Sequence, residues 1–307
     1  VRDFAAKIRD EAHLNCLYPL TLADIRATND KLWNGWKGSL LKDLYLQTMQ
    51  AFHSGEEKLL DMRARIRENK EEALRILLEQ GADPDLVSRL WSRHKPDYFV
   101  RFPPKQLVDH ALAILDHGDS KKPLIHISND THAGGTSIFV YCQDKPTIFA
   151  TLVTALDNRN YSVHDAQMMG TKDGYATDVF VITDKNGQKL HPESRLLSLK
   201  KALQRQLMST QVQATQRKQS RRMKQFRVTT RVKFLPTRHQ RTLIEIETLD
   251  RPGLLATISR VFQECSINLH AAKIMTIGEK VEDFFMLSNI DGEALFSEQE
   301  EALRNKL

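Results

Sequence analysis

Apolar residues in the first third of the chain recur at the spacing of an α-helix, most clearly over 32–45 and again over 74–78. Residues that start and stop helices agree with this pattern. Gly81 follows the second run, where a left-handed residue often ends a helix, and Asp83-Pro84 offers a capping side chain before a proline suited to a first turn. Residues 1–115 are therefore predicted to be helical.

A different pattern begins near residue 120, where short runs rich in β-branched and aromatic residues predict strands. Between the two patterns, residues 126–135 form a polar stretch that ends in two glycines, and this stretch predicts a domain boundary. The order predicted beyond it is strand, helix, strand, strand, helix, with a further strand over 226–234.

The strand-rich part of the chain repeats itself. Aligning Asp144 with Asp250 brings many identical residues into one register. Further identical pairs are Pro146 and Pro252, Ala150 and Ala256, Thr151 and Thr257, His164 and His270, Ala166 and Ala272, Met169 and Met275, and, after a slip of a single residue, Asp178 and Asp283, and Phe180 and Phe285. Self-similarity of this kind indicates an internal repeat, so two copies of one module are predicted.

The repeated module resembles the ACT domain family, whose members bind small ligands, usually amino acids. The resemblance rests on Asp250-Arg251-Pro252-Gly253-Leu254-Leu255, which lies between a predicted strand and a predicted helix. It implies a ferredoxin-like βαββαβ fold for each copy. The predicted fold class is therefore α+β, with a helical region over 1–124, a first ACT module over 136–235 and a second over 242–307 that lacks its final strand.

The same segment is the candidate ligand site. A proline fixes φ at a helix start, a glycine lets the backbone approach a ligand closely, and the free amides of a helix N-terminus favour a carboxylate. In the family an asparagine after the first helix often helps to hold the ligand. The resulting ligand contacts are Asp250, Arg251, Gly253, Leu254, Leu255 and Asn268. The alternative is a well-capped helix without a ligand, and pairing of the modules within or between chains stays open.

The first copy departs from the family pattern. Thr147 replaces the glycine and Ser162 stands opposite Asn268. Asp144, Thr147 and Ile148 therefore form a weaker candidate site, and the first copy would serve mainly as a packing partner of the second.

The whole chain resembles the C-terminal part of the bifunctional uridylyltransferase/uridylyl-removing enzymes. The resemblance rests on 20–28, on the helix with Trp33 and Trp36, on Asp97-Tyr98-Phe99, and on two ACT modules of which the second contains 276–279. Enzymes of this family transfer UMP from UTP to the nitrogen-signalling PII protein and remove it again, and glutamine favours removal. The resemblance implies a glutamine-sensing regulatory part of such an enzyme, which controls nitrogen assimilation in bacteria.

The two catalytic centres of the family are not expected in this chain. The transferase uses a glycine-serine loop and an Asp-x-Asp pair to hold Mg²⁺ (or Mn²⁺), and the sequence has no such motif. Only the tail of the HD-type phosphohydrolase domain is expected within 1–124, with Asp24 at the place of a metal-ligating aspartate. Its partner histidines would lie before Val1, so the chain alone is predicted to be inactive and to bind no cofactor. The alternative for Asp24 is an exposed or capping aspartate.

His164-Asp165 is the one literal His-Asp dipeptide in the sequence. Successive side chains of a strand point to opposite faces, so these two residues cannot converge on one metal. The recurrence of histidine at 164 and 270 instead predicts a role in packing or in the contact between the modules.

Composition excludes some classes of protein and leaves two alternatives open. The chain of 307 residues is 41% hydrophobic and has no apolar run of the roughly 18–20 residues that cross a bilayer. Three scattered cysteines favour a reducing compartment, by default the cytoplasm. Basic residues without an acidic partner between Lys200 and Arg241 leave a nucleic-acid-binding linker as a less favoured alternative. The second alternative is an ACT regulator of another metabolic enzyme, such as a dehydrogenase. The sequence lacks the glycine-rich dinucleotide-binding fingerprint that a dehydrogenase would carry.

Overall fold

The computed structural model describes residues 1–8, 10–28, 33–53, 58–130, 134–209, 230–235, 240–277 and 280–307. The helices in these ranges are α1 (Arg2–Ile8), α2 (Glu11–Thr28), α3 (Gly35–His53), α4 (Lys58–Glu79), α5 (Pro84–Ser92), α6 (Pro96–Arg101), α7 (Pro104–His117), α8 (Ile148–Asp157), α9 (Glu193–Met208), α10 (Leu254–Glu264) and α11 (Ser297–Lys306). The strands are β1 (Leu124–Ser128), β2 (Thr136–Gln143), β3 (Ser162–Gln167), β4 (Tyr175–Thr183), β5 (Arg231–Leu235), β6 (Thr242–Leu249), β7 (Asn268–Lys273), β8 (Thr276–Ile277) and β9 (Lys280–Ser288).

The chain divides into two compact units. A helical unit comprises Val1–Leu112 with the short segments 129–136 and 186–189, and a sheet unit comprises most of the remainder. The α+β fold class predicted from the sequence is confirmed. Most of the basic stretch and Gly278-Glu279 lie outside the described residues.

Helix boundaries in the helical unit follow the predicted signals. Gly81 has φ +81°, and the Asp83 carboxylate accepts the Asp85 N–H at 2.8 Å at the start of α5. Leu77 and Val87 on either side of this turn are fully buried. The turn is thus defined by local caps and held by apolar contacts.

A buried aromatic group stabilises the end of the helical unit. Tyr98 and Phe99 of α6 are almost completely buried, and the Tyr98 hydroxyl forms a 2.9 Å hydrogen bond with His110 Nδ1 of α7. Two residues of the Asp97-Tyr98-Phe99 segment, which contributes to the resemblance described above, therefore belong to a core, and Asp97 is exposed.

The sheet unit contains one antiparallel sheet in the order β1-β2-β4-β3-β7-β9-β6-β5, with β8 paired to β9. The two modules join between β3 and β7, where Ala166 lies opposite Ala272. Helices α8 and α10 also contact each other. The two copies therefore form a side-by-side pair within one chain.

Equivalent residues of the repeat fill equivalent places in the core. Phe180 of β4 and Phe285 of β9 are both completely buried. Phe180 stacks on Phe149 at a centroid distance of 6.0 Å, and Phe285 meets Phe262 edge-on at 5.3 Å. The predicted order of strand, helix, strand, strand, helix is confirmed in both copies, and the second copy has the two-residue β8 as an additional strand.

The structure corrects the position of the fourth strand. The sequence predicted 226–234 as the last strand of the first module, but Arg231–Leu235 pairs with β6 of the second module. The corresponding edge of the first module is occupied by β1, which pairs with β2 and comes from the stretch predicted to be a polar joint. An edge strand needs only one neighbour, so a segment that precedes the first strand satisfies the same hydrogen bonds as one that follows the last helix.

This pairing changes the division of the chain. The edge that was expected to stay open beside β6 is covered by β5. In place of 136–235 and 242–307, we therefore propose 124–208 for the first module and 231–307 for the second.

Candidate functional site

The loop that precedes α10 has the conformation its sequence requires. Gly253 lies in the left-handed region, with φ +77° and ψ 10°, and is the N-cap of α10. A residue with a Cβ rarely adopts this conformation, which explains glycine at the position. The Leu254 N–H donates to the Arg251 carbonyl at 3.1 Å, so the loop closes into a tight turn. Arg251 is exposed and Leu254 is buried.

The left-handed glycine donates its N–H to a carboxylate from the other module. Asp157 is the last residue of α8, and its Oδ2 accepts the Gly253 N–H at 3.0 Å. A carboxylate is favoured here because it meets the positive end of the α10 dipole. The predicted loop therefore binds a carboxylate group in this structure, and it does so at the junction of the modules.

The corresponding loop of the first module differs in backbone and in partner. Thr147 has φ −87°, so no left-handed residue precedes α8. Asp144 and Thr147 are exposed, whereas Ile148 is buried. The Pro146 carbonyl accepts a 2.8 Å hydrogen bond from Gln263 Nε2 near the end of α10. The loop of the first module thus accepts a hydrogen bond from a side chain of the second module, whereas the loop of the second module donates one to a side chain of the first.

Asn268 does not lie beside the loop with which the sequence grouped it. It begins β7, after the C-terminal end of α10, while Gly253 caps the other end of that helix. Eleven residues of helix separate the two, a length of roughly 16 Å at 1.5 Å per residue. Asn268 is exposed, and its Nδ2 donates to the Asn289 carbonyl at 3.1 Å. The C-terminal end of α10, which precedes Asn268, instead contacts the loop before α8 through Gln263.

Two buried carboxyl groups were absent from the sequence-based site. Asp178 and Asp283 occupy equivalent positions in β4 and β9 and are 2% and 0% exposed. Asp178 accepts the Met169 N–H at 3.0 Å, and Asp283 accepts the Met275 N–H at 3.3 Å. Their identity in both copies was visible in the alignment, and a recurring acid in an apolar strand was the signal that could have revealed them.

Burial shifts the titration of these acids. It raises the pKa of Asp283 to about 7, with a further increase from the nearby Asp250, against a decrease caused by the Met275 N–H. Burial likewise raises the pKa of Asp178 well above its usual range, and Asp144 adds to that increase. Burial is therefore the main cause of both increases, and the aspartate in the loop of the same module adds a smaller one.

We expect the Asp283 carboxyl to make the free energy of unfolding fall as pH rises from about 4 to about 7. In this range the folded protein keeps a proton that the unfolded chain, with an ordinary Asp pKa of about 3.9, has released. The stabilisation is complete below the unfolded pKa and is lost through the folded one. Urea denaturation of Asp283→Asn at a series of pH values should give a smaller decrease than the unsubstituted chain.

Asp291→Asn is the matched control for this pH series, because Asp291 is exposed in the turn after β9. Its profile should follow that of the unsubstituted chain. The buried Asp178 remains in every variant, so part of the slope should persist. Identical slopes for Asp283→Asn and the unsubstituted chain would contradict the assignment.

The two recurring histidines lie where the modules meet, as predicted. The His270 carbonyl accepts the Met168 N–H at 2.8 Å, and the His164 carbonyl accepts the Ile274 N–H at 2.9 Å. The side chain of His164 is hydrogen bonded to Thr183 Oγ1 at 2.8 Å. The main chain at both histidines therefore contributes to the contact between the modules, whereas each imidazole is hydrogen bonded to a hydroxyl of its own module.

The described residues do not provide a metal site. Within them, no group of three or more His, Cys, Asp or Glu residues could hold an ion. Asp24 lies exposed on α2. Its assignment as a metal ligand stays a prediction. In the described part of the chain, no helix combines the length and apolar character needed for a membrane crossing.

Comparison with known families identifies the sheet unit first. Residues 136–191 match the family model of the ACT domain, and residues 61–113 match that of the fifth domain of uridylyltransferase GlnD. Together with the repeated fold and the glycine loop, these matches define a protein with two paired modules of the ACT type.

The whole-chain relatives are more specific. The chain is 45% identical over 307 residues to the bifunctional uridylyltransferase/uridylyl-removing enzyme of Vibrio cholerae serotype O1, covering 99% of this chain and 35% of the relative. The enzyme of the same name from Photobacterium profundum is 45% identical over 308 residues, with 100% and 35% covered. The chain belongs to this family and corresponds to its C-terminal part. It spans about 35% of the length of the curated relatives it matches.

Proposed function

We propose that this chain is the glutamine-sensing regulatory part of a bifunctional enzyme that uridylylates the PII signal protein and removes the UMP group. The observation that carries the proposal is the left-handed Gly253, whose N–H accommodates a carboxylate at the junction of the two ACT modules. An α-amino acid supplies such a carboxylate. Glutamine is the amino acid that the resemblance to the uridylyltransferase/uridylyl-removing enzymes implies.

The catalytic work of the parent enzyme lies outside this role. UTP and PII are substrates of the parent, and Mg²⁺ or Mn²⁺ would act in domains other than the described ACT modules. Glutamine acts as an allosteric ligand in the cytoplasm of a bacterium. It can bias the enzyme toward UMP removal only through a difference in its affinity for two arrangements of the protein.

Two rival functions have less support. An ACT regulator of another metabolic enzyme would not share 45% identity with this family along its whole length. A nucleic-acid-binding role rests on the basic stretch between Lys200 and Arg241 alone. Neither rival uses the carboxylate-binding loop together with the helical unit.

Isothermal titration with L-glutamine tests the proposal, with D-glutamine and L-glutamate as controls. We expect saturable binding of L-glutamine and much weaker binding of both controls, because a built site distinguishes chirality and an amide from a charge. Equal binding of all three compounds, or binding of none, would contradict the proposed function.

A further inference from the structure

The junction of the two ACT modules contains two related contacts of opposite polarity. Asp157 and Gln263 occupy aligned positions near the ends of α8 and α10, and each reaches the loop of the other module. Asp157 accepts the Gly253 N–H, whereas Gln263 donates to the Pro146 carbonyl. Only the contact at the glycine loop therefore involves a charged side chain.

Asp157 accepts the Gly253 N–H, which is the donor that the carboxylate of a ligand would use. The Gly253 N–H is presented by a left-handed residue at the start of an 11-residue helix and is bound by Asp157 Oδ2 at 3.0 Å. One N–H cannot bind two carboxylates at full strength, and two like charges at this spacing repel. A ligand carboxylate that takes this donor therefore leaves the Asp157 carboxylate beside it.

The displaced Asp157 carboxylate would lie next to the carboxylate of the ligand. Two like charges at such a distance repel, and a positive charge on the ligand offsets that repulsion. The contact between Asp157 and Gly253 therefore favours a ligand that carries a cationic group beside its carboxylate over a simple carboxylic acid.

We propose that Asp157 selects for the α-ammonium group of the ligand. On binding, the ligand carboxylate takes the Gly253 N–H, and Asp157 exchanges that hydrogen bond for one with the adjacent ammonium group. The ligand class is therefore a zwitterionic α-amino acid, and a carboxylate lacking the amino group is rejected. This inference rests on the proposed function, because it assigns a residue of the first module to the glutamine site.

The test compares L-glutamine with its deaminated analogue, 5-amino-5-oxopentanoate, by isothermal titration of the 307-residue chain. The unsubstituted chain should bind glutamine at least about 10-fold more tightly than the analogue, since a hydrogen bond between charged groups contributes on this scale. Asp157→Asn keeps an acceptor for the Gly253 N–H but removes the charge. This variant should lose most of that preference, through weaker binding of glutamine and stronger binding of the analogue.

Gln263→Ala is the matched control because it removes the related contact without changing charge. It should keep the preference of the unsubstituted chain for glutamine. If the unsubstituted chain binds glutamine and Asp157→Asn shows the same ratio of affinities, the inference is wrong while the proposed function stands. If the unsubstituted chain binds neither compound, both are wrong.

Discussion

Gly253→Asp should abolish glutamine binding, with a loss of affinity of more than about 100-fold. The substitution forces a residue with a side chain into φ +77°, and it places a second carboxylate beside the N–H that Asp157 already accepts at 3.0 Å. Repulsion between like charges a few ångströms apart is on the order of several kcal/mol near a protein surface. Isothermal titration with L-glutamine measures the effect.

Gly292→Asp controls for backbone strain. Gly292 has φ +86° in the turn after β9, and a Cβ added there meets no atom within 4 Å. Both variants therefore incur the cost of a left-handed residue with a side chain, about 1–2 kcal/mol. Glutamine affinity should stay unchanged in Gly292→Asp. If Gly253→Asp leaves the affinity for glutamine unchanged, the loop is not part of the ligand site.

Phe285→Ala should produce a large loss of stability in the sheet unit, about 3–5 kcal/mol in the free energy of unfolding. Phe285 is completely buried in β9, which lies between β7 and β6, and it packs edge-on against Phe262 of α10 at 5.3 Å. Truncation to alanine leaves a cavity between the sheet and the helix that begins at the candidate ligand loop. Urea denaturation followed by circular dichroism measures the change.

Phe296→Ala is the comparison for the core substitution. Phe296 is 55% exposed at the start of α11, so removal of its ring should change the free energy of unfolding by less than about 1 kcal/mol. Similar destabilisation by both substitutions would mean that β9 does not hold the core of the second module.

Phe285→Ala should also weaken glutamine binding, because α10 loses its main aromatic contact with the sheet.

Candidate ligand residues divide between the two ends of α10 for a reason that spacing along the chain does not reveal. The family pattern grouped Asn268 with the Asp250–Leu255 segment, since both flank the same helix in sequence. A helix separates the residues at its two ends, whereas the packing of α8 beside α10 brings Asp157 to Gly253. The carboxylate that accepts the Gly253 N–H therefore comes from the other module, 96 residues away in the chain.

The sequence by itself determined the features that depend on neighbouring residues and on periodicity. These are the helix caps at Gly81 and Asp83, the repeated order of strand, helix, strand, strand, helix, the glycine at the start of α10, and the equivalence of Phe180 and Phe285. Each follows from a local backbone preference or from alternation between buried and exposed positions.

Only the tertiary structure decided which segments pair across long distances. Three features require a particular packing of helices and strands. They are the partners of β1 and β5, the contact of Asp157 with Gly253, and the burial of Asp283. An edge strand has one hydrogen-bonded neighbour, and the alternation of its side chains does not name which edge that neighbour belongs to. Packing of the whole sheet unit therefore settles the choice, and with it the residues that surround the candidate ligand loop.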